Sequence, residues 1–385
     1  MLLDNSRSMQ TTLTYFPGFK WRPYLKMAKV ADTENPLHLK LGGILKEVIV
    51  AYETYGHISE KGDNVILLHH ALTGDSHPAA HNQHDEKGWW EPLVGSGCPL
   101  DTDKYFIICA NVLGGCQGTT GPASPNLENG LAYGMDFPEI TLLDMVQVQK
   151  RLLDLLGIKH VKLIIGGSMG GMQSLEWAVT YPDFMDGVMA IAAPGYSSSQ
   201  SIAYNKVARQ AITLDPGWQG GNYYGGNGPE KGLAIARSVG MITYQSELSM
   251  EGKFGRKRRN GCFEIENYLD HQGNSLARRF DANSYLYLLR VLDYYNLSDS
   301  CKSYEDALAQ ITGKVMVVGV SSDILYPPYQ QEELVEAMRD CGVDAEYALL
   351  ESPHGHDGFL IDFHLLRPLI NEFIKKLTIG KVTKN

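Results

Sequence analysis

Three residues of the types that together move acyl groups stand far apart in the chain: Ser168, Asp323 and His356. Ser168 lies in Gly166-Gly167-Ser168-Met169-Gly170, a G-x-S-x-G pattern that directly follows the apolar run Val161 to Ile165. In that setting the serine sits on a sharp strand-to-helix turn, with small neighbours and a hydroxyl that projects clear of the backbone. A hydroxyl attacks a carbonyl only when a base takes its proton. His356, in His354-Gly355-His356-Asp357-Gly358, is a suitable base, because an imidazole with a pKa near 6.5 can accept that proton and return it to a leaving group near neutrality. His354 in the same loop is the alternative. Asp323, just after the run Val315 to Val320, can fix the imidazole tautomer and stabilise the imidazolium that forms. The developing oxyanion needs two donors. One is the Met169 backbone N–H, and the other is expected from the loop His69-His70-Ala71-Leu72-Thr73-Gly74, with the Leu72 N–H as candidate. His69 and His70 read as loop-shaping residues.

Groups so distant in sequence meet only if strands deliver them to one edge of a sheet. Val65 to Leu68, Tyr105 to Cys109, Val161 to Ile165, Val188 to Ala192, Val315 to Val320 and Tyr347 to Leu350 are short apolar runs bounded by polar residues, as expected of strands buried on both faces of a parallel sheet. Leu37 to Leu41 and Val48 to Tyr55 flank Gly42-Gly43, a hairpin signature that predicts an antiparallel edge. Residues 1–36 give only an N-terminal extension that packs loosely or joins an edge. Thr141 and Asp144 fit a capping box opening a helix that runs to Gly157. A helix from Met172 to Tyr181, stopped by Pro182, follows the serine, and others are expected over Tyr329 to Asp340 and Asp362 to Leu377.

Between the fourth and fifth of these runs the pattern changes. From about Gly195 to Gln310 helical stretches (Gln200 to Leu214, Lys231 to Glu247, Ser284 to Tyr295, Tyr304 to Gln310) run together without strands. The expectation is therefore α/β: a mostly parallel sheet with helices on both faces, built from residues 1–194 and 311–385, with an all-helical lid inserted at 195–310. The order Ser, Asp, His along such a chain is that of the α/β-hydrolase fold.

The 385 residues carry a net charge of −10, which leaves no basic surplus for a general nucleic-acid binder. No apolar run reaches membrane-spanning length and no signal-peptide core is seen, so a cytoplasmic protein with small-molecule partners is expected. The six cysteines show no C-x-x-C pairing, and no structural disulfide and no zinc or other metal site is expected.

Several longer motifs resemble one family. His70-Ala71-Leu72-Thr73-Gly74-Asp75, Gly88-Trp89-Trp90, Asn111-Val112-Leu113-Gly114-Gly115, Gly121-Pro122-Ala123-Ser124, the stretch Gly166 to Trp177 and Gly355-His356-Asp357 are similar to the homoserine O-acetyltransferases. Lid segments such as Ile242-Thr243-Tyr244 and Asp281-Ala282-Asn283-Ser284-Tyr285 share the likeness. The resemblance implies transfer of an acetyl group from acetyl-CoA to L-homoserine through a Ser168 acyl-enzyme, for methionine biosynthesis, with acetyl-CoA as substrate and no bound cofactor. It further implies Arg237 and Asp357 as holders of the amino-acid substrate, and a homodimer through the lid. Arg237 suits bidentate capture of an α-carboxylate and Asp357 an α-ammonium; Tyr244 could line the same pocket. A succinyl donor, serine as acceptor, or plain ester hydrolysis are the alternatives. Met241 stands where the family commonly has a histidine and Ile324 where it has Trp or Arg. The basic run Lys253, Arg256, Lys257, Arg258 and Arg259 could meet CoA phosphates, although a solvated loop is the simpler and preferred reading.

Overall fold

A computed structural model describes residues 18, 19 and 21–382. The strands are β1 (Lys26–Ala31), β2 (Val48–Tyr55), β3 (Val65–His69), β4 (Phe106–Ala110), β5 (Val161–Gly167), β6 (Met185–Ile191), β7 (Lys314–Val320) and β8 (Ala345–Leu350). They form one eight-stranded sheet in the spatial order β1-β2-β4-β3-β5-β6-β7-β8. β2 runs antiparallel to β4, and all pairings from β4 through β8 are parallel. Every residue of β3 and of β5 is buried, which is why these strands read as unbroken apolar runs rather than alternating ones. Their order places β3 beside β5, so the loops leaving the two carboxyl ends are neighbours, and ligands collect at that edge of an open parallel sheet.

The edge departs from the hairpin expectation. Leu37–His38 pairs with Ile44–Leu45 in a separate two-stranded piece, turning through Gly42 and Gly43 at φ 90° and 92°. The outer neighbour of β2 is instead β1, drawn from the segment whose pattern left open whether it packed loosely or joined an edge. Residues 1–17 and 20 of that segment lie outside the described residues.

The helices are α1 (Leu142–Leu155), α2 (Met169–Thr180), α3 (Ser199–Thr213), α4 (Glu230–Tyr244), α5 (Glu247–Lys253), α6 (Glu264–Ala277), α7 (Ala282–Tyr294), α8 (Tyr304–Leu308), α9 (Pro328–Asp340) and α10 (Phe363–Val382). The capping box forms: the Thr141 N–H donates to Asp144 Oδ2 at 2.7 Å.

The chain divides into two compact units. One comprises residues 52–110, 149–196 and 295–385; the other comprises the residues up to 51, 111–148 and 197–294. In the first, α2 packs on β3, β5 and β6, and α9 on β7 and β8. On one face of the sheet, Ile66, Leu68, Leu163, Ile165, Met189 and Val318 form a core with Leu366, Ile370, Phe373 and Leu377 of α10. Each such side chain contributes about 1.5–3 kcal/mol by burial.

In the second unit α4 packs against α3 and α6, and α7 against α3. The expected helix from Lys231 to Glu247 ends at Tyr244. Ser246 interrupts it by capping α5, its Oγ accepting the Ser249 N–H at 3.0 Å. Nor is this stretch free of strands, because Arg258–Arg259 pairs with Cys262–Phe263 across Asn260-Gly261, both at positive φ. The apolar stripe Tyr285, Leu288, Leu289, Leu292 and Tyr295 is already buried within the single chain. No helix among the described residues is long and apolar enough to cross a membrane.

Candidate active site

β5 delivers the chain to Ser168, which takes φ 57° and ψ −125° before α2 begins. A non-glycine residue in such a conformation costs about 1–3 kcal/mol and persists only where its surroundings over-determine it. Here they do. A Cβ on Gly166 would come within 2.6 Å of the Gly170 carbonyl, and one on Gly170 within 2.5 Å of the His69 oxygen. Strand, turn and helix are thus packed backbone to backbone against the end of β3, and the Ser168 N–H donates to the Ile191 oxygen at 2.8 Å.

The three residues singled out by type and order meet. His356 Nε2 lies 2.8 Å from Ser168 Oγ, and His356 Nδ1 lies 2.7 Å from Asp323 Oδ2. The other carboxylate oxygen of Asp323 accepts the N–H groups of Leu325 and Tyr326 at 2.8 and 3.0 Å, so the acid is fixed before it orients the ring. With Nδ1–H donated to the carboxylate, the Nε2 lone pair faces the serine hydroxyl, the arrangement a general base requires. His356 and Asp323 are 3% and 4% exposed. Burial disfavours the imidazolium, yet the charge and hydrogen bond of Asp323, with a smaller contribution from Asp357, outweigh it and raise the His356 pKa above its ordinary value. Tyr326 and Phe359 meet the imidazole edge-on. His354 is turned away, with Nε2 at 4.0 Å from Asp362.

Sequence reasoning missed the brace between the two loops. Ser322 Oγ donates to the Ser352 oxygen at 2.6 Å and accepts the Gly355 N–H at 2.9 Å, tying the Asp323 loop to the His356 loop. The only signal was the Ser322 hydroxyl beside Asp323, because its partners across the gap are backbone groups of Ser352 and Gly355. Among the described residues, no acceptor is found for the backbone N–H of Leu72 or of Met169; such orphan donors suit an oxyanion. His69 is buried, with Nδ1 at 3.1 Å from Ser174 Oγ, and desolvation pushes its pKa down to about 3, against the opposing pull of its hydrogen bonds. It is a neutral packing residue.

In the helical unit, α4 carries Arg237 and Tyr244, and the guanidinium lies 5.5 Å from the Tyr244 ring centroid. Arg237 makes no salt bridge with any described residue. Asp357 follows His356 in the turn Gly355–Leu360 and is partly buried. In the basic loop, Arg256 and Arg258 stack on Phe263, and Lys253 Nζ bonds Gln245 Oε1 at 2.8 Å.

Residues 64–363 match the family model described as the alpha/beta hydrolase fold. The chain is 50% identical over 364 residues to a homoserine O-acetyltransferase of Symbiobacterium thermophilum, covering 91% of this chain and 95% of that protein. It belongs to the homoserine O-acetyltransferases. Among solved structures, the family member from Bacillus anthracis superposes with a TM-score of 0.85 at 29% identity, covering 92% of this chain and 98% of that one. Esterase E22 is nearly as similar in shape, with a TM-score of 0.83 at 27% identity, covering 91% and 99%. Homoserine O-acetyltransferases therefore share their scaffold with an esterase, and the identity of the acyl acceptor does not follow from the fold.

Proposed function

We propose that this chain transfers the acetyl group of acetyl-CoA to the hydroxyl of L-homoserine. The hydrogen-bonded line Asp323–His356–Ser168 carries the reading. Ser168 Oγ attacks the thioester carbonyl as His356 takes its proton; the tetrahedral oxyanion rests on the Leu72 and Met169 N–H groups, and CoA leaves as the thiol with the proton from His356. The homoserine hydroxyl then gives its proton to His356 and attacks the acyl-enzyme. Collapse returns the proton to Ser168 and releases O-acetyl-L-homoserine, an intermediate for methionine biosynthesis. Arg237 holds the α-carboxylate, supported by its lack of an acidic partner among the described residues, Asp357 the α-ammonium, and Tyr244 stacks beside Arg237. No cofactor is needed for these steps.

The helical insertion at 195–310 is assigned as a lid that limits water. Dimerisation would use its outer surface, where Val207, Leu214, Ile235, Ile242 and Leu248 are exposed, rather than the buried stripe of α7. A cytoplasmic location fits a biosynthetic role. The named relatives favour acetyl over succinyl and homoserine over serine.

Hydrolysis is the competing reading, because water can take the place of the amino alcohol and esterase E22 has this shape. Incubation with acetyl-CoA, with and without L-homoserine, separates them when free thiol and O-acetylhomoserine are both followed. Thiol release should depend on homoserine and vanish in Ser168→Ala. Release at the same rate without homoserine, and without ester product, overturns the transferase.

A further inference from the structure

Away from the triad, a second cluster joins β2 to the long loop after β3. Glu53 is buried in β2, and its Oε2 lies 2.8 Å from His77 Nδ1, 2.9 Å from His81 Nε2 and 3.0 Å from the Tyr55 hydroxyl. His77 Nε2 faces the Glu86 carbonyl at 2.7 Å, and the Tyr55 hydroxyl also faces the Ala79 carbonyl at 2.9 Å.

Each of these five contacts needs a hydrogen between its two atoms. Two neutral imidazoles and one phenol bring only about three in total. His77 shows the conflict most plainly, since both of its ring nitrogens point at acceptors. The His77 Nε2–H donated to a backbone carbonyl leaves a lone pair on Nδ1 aimed at a carboxylate.

We propose that Glu53, His77 and His81 form a binding site for a divalent, borderline-soft cation of the zinc type. Such an ion takes the Nδ1 lone pair of His77, the Nε2 lone pair of His81 and a carboxylate oxygen, so that both rings stay neutral and Tyr55 keeps its proton for Ala79. The donor atoms already lie within 4.8 Å of one another; tetrahedral zinc would set them about 3.3 Å apart. Two nitrogen donors disfavour calcium and magnesium.

Two features resemble the outer shell of a metal site. A ligating histidine commonly donates its other N–H to a carbonyl, as His77 does to Glu86. The His81 ring is oriented by stacking on Tyr55, with centroids 4.1 Å apart and planes 11° from parallel. A bound ion would lock the loop that carries Leu72 to the sheet. Cysteine spacing could not reveal such a site, because no cysteine contributes to it.

The test uses the full chain without an affinity tag, stripped with chelator and titrated with zinc sulfate by equilibrium dialysis, while melting is followed in parallel. One ion per chain at micromolar or tighter affinity, with a raised Tm, is expected. Affinity should fall at least tenfold in His81→Ala and in Glu53→Gln, and stay unchanged in Ser168→Ala, which separates this site from the acyl-transfer reading. His81 is the most exposed member of the cluster, so its variant should remain folded even if Glu53→Gln does not. Absence of saturable binding in the wild type, or equal binding by His81→Ala, overturns the proposal; a protonated His77 alone then balances Glu53.

Discussion

The turn at Ser168 and the helical stretch α4–α5 solve opposite problems. At the turn, β5, α2 and the end of β3 press backbone against backbone so closely that Gly166 and Gly170 admit no Cβ, and a serine strained at φ 57° sits between them. On the outward faces of α4 and α5, apolar residues such as Ile242 and Leu248 are exposed, and Arg237 has no acidic partner among the described residues, so these positions are less constrained by packing. Chemistry needs the first arrangement, since a hydroxyl displaced by a fraction of an ångström loses its base. Choice of substrate is compatible with the second. The contrast predicts that changes near the turn cost rate or stability, whereas changes at the exposed positions of α4 and α5 alter preference or nothing.

The largest effect is expected at Asp323. Replacing it by Asn leaves the shape but not the charge or the tautomer control, and kcat should fall about 10⁴-fold. The pH dependence sharpens the point. The His356 pKa is raised above its ordinary value chiefly by Asp323, against the cost of burial, and the base works only when neutral. Activity should therefore rise with pH through that elevated pKa, and in Asp323→Asn the residual activity should reach its plateau at lower pH. For stability the sign is opposite: a raised folded-state pKa contributes below the unfolded value and is lost as pH rises through the folded one. A pH–rate profile of kcat/KM for both proteins checks the first claim, and a limb that does not move would detach Asp323 from His356.

Arg237 tests the other side of the comparison. Arg237→Ala removes charge-assisted hydrogen bonds worth about 1.5–3 kcal/mol, so kcat/KM for homoserine should drop roughly 10- to 100-fold. Acylation by acetyl-CoA, read as the single-turnover thiol burst, should be unchanged. A burst that falls in step would place Arg237 in the donor half-reaction instead.

How much was legible follows the same division. Ser168 could be found because its requirements are local: an apolar run, glycines on either side, then a helix. Asp323 and His356 followed because strand ends are visible in one dimension and triad order is restrictive. β1 was not assigned, since its neighbour β2 supplies the reason for the strand and that partner lies outside the segment. α6 was missed because Glu264 to Ala277 is mostly polar with a glycine inside it. The Asn260-Gly261 hairpin carried a readable turn signal that the surrounding charges masked. Glu53, His77 and His81 were invisible as a group because their meeting depends on the register between a strand and a loop.

A paired glycine substitution reads the contrast in stability alone. Gly170→Ala inserts a methyl 2.5 Å from the His69 oxygen, and the obstacle is backbone rather than a side chain that can swing away. Overpacking of that kind costs about 1–3 kcal/mol or more, and activity should fall with it because the turn must shift.

Gly252, exposed in α5, has nothing within 4 Å of its would-be Cβ. The same change there removes backbone freedom from the unfolded chain and adds helix propensity, together about 0.5–1 kcal/mol in favour of folding. Denaturant melts of the two variants should thus move in opposite directions, with kcat of Gly252→Ala at the wild-type level. Equal destabilisation by both would mean that α5 is covered in solution by something beyond this single chain, such as a second copy, and that the freedom attributed to this surface is absent there.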